Sequence, residues 1–200
     1  AFSGRSATMP RRPRATSGGD SARRIAPRWP ARTPSGFGRR PPCPSVPGFP
    51  PGVWTVQGGG AVVFQSANGQ PTMFFSDFNA FGTELTGRIQ VSANAGDDDY
   101  IGFVLGFDPG DATNAWADYL LVDWKQVDQD FDFNAAGNGG IAEEGLAVSR
   151  VTGIPSADEF WSHSDFVSDA GGGVTELARG APLAGTGWVQ GQGDEFTFTF

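Results

Sequence analysis

From Val53 onward, apolar and polar residues alternate with a period of two, in short runs separated by glycine, asparagine and aspartate. Alternation at this period places successive side chains on opposite faces of an extended chain. No segment of useful length carries the 3.6-residue period of a helix. The expected strands are Trp54 to Val56, Ala61 to Ser66, Thr72 to Phe75, Glu84 to Ser92, Tyr100 to Asp108, Ala117 to Val127, Gly145 to Thr152 and Glu195 to Phe200. Between them, Gly58-Gly59-Gly60, Asn68-Gly69, Asn94-Ala95-Gly96 and Gly137-Asn138-Gly139-Gly140 tolerate the positive φ that tight turns require. Strands at this spacing predict an all-β fold, a single two-sheet sandwich or jelly roll over residues 53–200.

The preceding 52 residues are a different material. They hold 11 of the 15 prolines and few aliphatic side chains, so they cannot bury enough surface to offset the entropy of ordering. Residues 1–52 are therefore expected to be a disordered basic arm, and residues 53–200 the folded domain. The arm carries ten arginines against Asp20 alone, a net charge of +9; the whole chain carries −8, which leaves −17 on residues 53–200. Two readings of the arm stand side by side: a polybasic tether for acidic surfaces or nucleic acid, and a leader under no functional constraint. The second is favoured, because the arginines have no helical face and no interleaved aromatics.

The acidic body argues against nucleic acid as its partner, since phosphate recognition needs a clustered basic face. Cations suit it better. Cys43 is the single cysteine and lies in the arm, so the body has neither disulfide nor thiolate metal site. No stretch approaches the ~18 apolar residues of a membrane helix, and no apolar signal-peptide core is found near the start. The chain begins at Ala1 and stops at Phe200 inside an alternating run, and it reads as a fragment whose last strands lie beyond.

Alternation also sorts faces. In the run from Asp118 to Gln126, Leu120, Val122 and Trp124 form the expected core side, with Tyr119, Leu121, Asp123 and Lys125 opposite. In the preceding run, Ile101, Phe103, Leu105 and Phe107 form a bulky face, and Gly102, Val104 and Gly106 a flat one.

Two segments, Asp97-Asp98-Asp99-Tyr100-Ile101-Gly102-Phe103-Val104-Leu105-Gly106-Phe107 and Tyr119-Leu120-Leu121-Val122-Asp123-Trp124-Lys125-Gln126-Val127, resemble consecutive strands of the thrombospondin C-terminal domain. Weaker similarity runs through Phe81 to Val91, Gly145 to Val148 and Trp161-Ser162-His163. The resemblance implies a concanavalin-like lectin jelly roll, calcium binding, an extracellular location and adhesion to a protein or matrix ligand, with a glycan as the rival ligand. Three departures stand out: the Asp-rich repeats that precede this domain in the family are replaced by the basic arm, Asp123 occupies an apolar position, and the family's last strands would fall beyond Phe200.

Asp97, Asp98 and Asp99 crowd one turn, an arrangement that suits calcium, which takes six to eight oxygen ligands and tolerates irregular loops. The plainer alternative is a solvated acidic turn. Asp108, Asp111 and Asn114 are candidates to complete the same or a neighbouring site. A second set, Asp128, Asp130, Asp132 and Asn134, opens like an EF-hand loop but has Phe133 and Gly139 where that loop needs glycine and a bidentate glutamate. It reads as a solvated strand face.

Catalysis is not expected. Glycoside hydrolysis needs two carboxylates about 5–9 Å apart across a cleft, and the Glu-x-Asp-x-x-Glu pattern of glucanases of this architecture is absent. Glu143-Glu144 and Asp158-Glu159 would diverge on a strand. His163 is the single histidine; the chain has no nucleophile elbow and no zinc set around it. The carbohydrate-binding alternative rests on Trp54, Trp116, Trp161 and Trp188, of which Trp116 and Trp188 are expected to be exposed and Trp161 to anchor a loop.

Overall fold

A computed structural model describes residues 37–40, 46–76, 82, 84–94, 96, 98–108, 110–133, 140–162, 172–184 and 186–199. Its strands are β1 (Phe37–Arg40), β2 (Val53–Gln57), β3 (Val62–Ala67), β4 (Met73–Ser76), β5 (Glu84–Gln90), β6 (Tyr100–Leu105), β7 (Asp118–Lys125), β8 (Gln129–Asp130), β9 (Ile141–Ala142), β10 (Gly145–Gly153), β11 (Gly172–Ala184) and β12 (Gly193–Thr199). Among the described residues there is one α-helix, α1 (Ala157–Ser162), and one 3-10 turn, Asp111–Thr113. All eight expected strands are present. Among the described residues no helix is long and apolar enough to cross a membrane.

The centre is a four-stranded antiparallel sheet in the order β11-β10-β7-β6. Its two faces bury separate cores, the arrangement of an all-β sandwich. On one face the β5–β12 pair packs down, with Phe196 and Phe198 of β12 set 4.3 and 5.1 Å from the Phe103 ring of β6. Ile89, Val91, Ile101 and Trp188 complete that core. The other face is covered by α1, Phe133 and β4, which close over Tyr100, Tyr119, Leu121 and Val151.

Helix α1 is preceded by Ser156, whose hydroxyl accepts the Glu159 amide at 3.1 Å, as a serine N-cap does. Its Trp161 is fully buried and stacks on Tyr100 at 5.5 Å, so it is a core residue and not a loop anchor.

The faces of β7 are inverted relative to expectation. Tyr119, Leu121, Asp123 and Lys125 are buried, while Leu120, Val122 and Trp124 are half-buried. The charged pair does not mark solvent, because Asp123 and Lys125 neutralise each other. Alternation in the preceding run also fails at its end. Gly106 has φ +82, a conformation available to glycine, and it turns Phe107 onto the opposite core, against Phe75 and Tyr119. Gly102 is needed for close approach, as a Cβ there would lie 1.9 Å from the Val122 carbonyl oxygen.

The β2–β3 hairpin turns through Gly58, Gly59 and Gly60, all at positive φ. The packed structure reaches back to Val46, ahead of the boundary at residue 52. The Gln70 side chain accepts the Val46 amide and donates to the Phe49 carbonyl, and Phe49 meets the Phe133 ring at 5.2 Å. Further back, β1 pairs with β4.

Candidate functional site

Register decides which acids share a neighbourhood. Tyr100, Lys125 and Gly145 occupy one rung of the central sheet. Asp99 before Tyr100, Gln126 after Lys125 and Glu144 before Gly145 therefore emerge together at one end of it. Asp128 joins them, accepting the Glu144 amide at 2.7 Å. Sequence reasoning grouped Asp98 and Asp99 in one acidic turn but read Asp128 as part of a solvated strand face and Glu143-Glu144 as a diverging pair, and did not bring them to this end, because strand pairing leaves no local mark.

A strap at residues 186–188 ties this end down. The Thr186 carbonyl accepts the Trp124 indole at 2.8 Å, the Gly187 amide donates to Glu144 Oε1 at 2.8 Å, and the Trp188 indole donates to the Asp99 carbonyl at 2.8 Å. Gly187 is required, since a Cβ would lie 1.7 Å from the Gln126 carbonyl oxygen. Trp188 is thereby buried, contrary to its expected exposure. Arg179 offsets part of the acidity, pairing with Glu143 at 2.8 Å and Glu176 at 2.6 Å. Asp98 is exposed and Asp99 buried. Asp97 lies outside the described residues.

Asp108 and Asp111 lie at the opposite end of β6, roughly 20 Å away for six extended residues. The two expected halves thus do not form one site. The Asp111 carboxylate organises its own loop, accepting the Asp108 amide at 2.8 Å through Oδ2 and the Asn114 side chain at 3.2 Å through Oδ1. Trp116 projects from this loop, 90% exposed, as expected. Beside it at this end of the sheet, Asp118 and Arg150 form a two-pronged pair at 2.8 and 2.6 Å. The Arg150 hydrogen bonds hold the Asp118 carboxyl below its ordinary value and the guanidinium above its own.

Among the described residues, no three of the groups His, Cys, Asp and Glu converge as metal ligands. The described acids alone do not compose a calcium cage. Of the EF-hand-like set, Asp130 is exposed on β8, and Asn134 lies outside the described residues, as does His163. Asp158 and Glu159 are buried structural acceptors, taking the Phe133 amide at 2.6 Å and the Val174 amide at 3.1 Å.

The family model described as the thrombospondin C-terminal region matches residues 50–168, more than half of the chain. Cartilage oligomeric matrix protein from Rattus norvegicus, Mus musculus and Bos taurus is in each case 27% identical over 121 residues. The match covers 58% of this chain and 15% of each relative, so the chain spans a small part of their length.

Proposed function

From the chain's membership of the thrombospondin C-terminal region family, which it belongs to over residues 50–168, we propose that it is an extracellular binding module of the matrix or adhesion type, supported by calcium and without catalytic activity. The observation that carries the reading is the acidic end of the central sheet, where Asp99, Asp128 and Glu144 adjoin three neighbouring strand ends beside Asp98 and Glu143, although no three of the described acids converge on one point. A body of charge −17 repels itself, and a divalent cation at that end relieves the repulsion. Calcium suits the irregular loop, with Asp98 and Asp99 as ligands together with Asp97. Asp108 and Asp111 belong to a separate candidate at the other end. The matched relatives are named as matrix proteins, which supports a matrix ligand.

A second reading, a glycan-binding module, rests on Trp116, a bare indole of the kind that stacks on sugar rings. Binding to immobilised matrix proteins, measured in calcium and in chelator, tests the first reading. A glycan array and a glycosidase screen run in parallel test the alternatives. Calcium-dependent retention on a matrix protein is the expected result. Retention on a glycan that is lost on Trp116→Ala supports the second reading, and release of reducing sugar overturns both.

A further inference from the structure

Asp123 and Lys125 stand two residues apart on β7, so both side chains leave the same face of the sheet. That face is closed: Asp123 is 0% exposed and Lys125 2%. Lys125 Nζ is in direct contact with Asp123 Oδ2, and it sits 4.7 Å from the centre of the Tyr100 ring. The residues paired beside Asp123 are Gly102 and Ala147, and those beside Lys125 are Tyr100 and Gly145. None of these four neighbours brings a charge; the charges felt from further off are those of Arg179 and Glu176 on β11, which act on Lys125 in opposite directions.

Burying two ions in such a place is costly, and the cost falls when the proton moves between them. Burial pushes the Lys125 ammonium below its ordinary value, towards the neutral amine, although Asp123 opposes this. A neutral amine against a protonated carboxyl is the reactant pair of an amide condensation. Groups held in reacting geometry act at effective molarities on the order of 10⁵ M or more. A site this closed also limits the entry of water for the reverse hydrolysis.

We propose that Asp123 and Lys125 are joined in the folded domain by an isopeptide bond between the Asp123 Cγ and the Lys125 Nζ. The ammonium first passes one proton to Oδ2. The amine lone pair then attacks Cγ, forming the C–N bond. The C–O bond breaks, and the leaving hydroxyl takes a second proton from nitrogen and departs as water. One ammonium and one carboxylate thus become one amide and one water plus no net charge, and no oxidant or co-reactant is needed. The link closes a small ring within one strand, so it acts by removing two buried charges from the core and not by tying distant segments together.

The test is the intact mass of the purified full chain under denaturing conditions, followed by tryptic mapping. The expected mass is lower than that of the sequence by one water, with the chain uncut after Lys125 and fragment ions that join Asp123 to Lys125. The Asp123→Asn variant should reach the same product by losing ammonia, and Asp123→Ala should keep its full mass. A wild-type chain of full mass that trypsin cuts after Lys125 overturns the proposal without any variant having to fold. Loss of water at a hydroxylamine-sensitive Asp123–Trp124 succinimide, with Lys125 still open to acylation, overturns it as well.

Discussion

The indole nitrogen of Trp188 donates to the main-chain carbonyl of Asp99 at 2.8 Å, which fixes the acidic turn to a strap far along the chain. Trp188→Phe keeps most of the buried ring and removes this donor. The carbonyl left behind in a buried setting should cost about 1–3 kcal/mol, read as a lower urea midpoint at unchanged slope. A variant as stable as wild type would mean that the strap does not hold the turn.

The buried Asp123 and Lys125 make a second prediction, in which removing one partner differs from removing both. Asp123→Ala or Lys125→Met alone strands the other polar group and should destabilise by about 3–5 kcal/mol. Asp123→Leu combined with Lys125→Met replaces both by apolar groups and should recover most of the loss. Denaturant titration of the three variants measures it; additive losses in the double variant would show that the two groups act independently.

This pair also shows how far the sequence was legible. The strands, the sandwich and the family followed from alternation and from the two motif segments around Tyr100–Phe107 and Tyr119–Val127. Which face of β7 is buried did not follow, because a charge is read as solvent-facing until its partner is known, and the partner is two residues away on the same face. Strand β11 was missed: its glycine and alanine content, with Pro182 inside it, weakens the strand signal, and its place is fixed by pairing with β10. Trp188 was expected outside because glycines surround it, yet a strap that crosses a sheet end needs glycine for the same close approach that buries the indole. The acidic end was half legible, since Asp98 and Asp99 adjoin in sequence and Asp128, Glu143 and Glu144 come to the same sheet end only through register.

At the other end of the sheet, the Arg150 hydrogen bonds lower the Asp118 pKa below its ordinary 3.8 in the folded state. A folded value below the unfolded one means that the pair's stabilisation is fully present above the unfolded value and is lost as pH falls through the folded one. Both side chains are about half exposed, so the effect on stability should be small and screened by salt. A carboxyl titration followed by NMR should place the Asp118 midpoint below that of an ordinary aspartate, and Arg150→Ala should return it. An unchanged midpoint in that variant would remove Arg150 as the cause.

The central claim is that calcium supports this fold through the turn at Asp98 and Asp99. A ligand bound only by the native state stabilises by RT ln(1 + [L]/Kd), about 2.7 kcal/mol at a hundredfold excess. The direct measurement is the melting temperature of the full chain in millimolar calcium, in magnesium and in chelator at fixed ionic strength, for wild type and for the Asp98→Asn, Asp99→Asn double variant. The account predicts a rise with calcium, little response to magnesium, which demands a smaller octahedral site, and a folded double variant that has lost most of the calcium response. Equal melting temperatures for wild type in calcium and in chelator would contradict it.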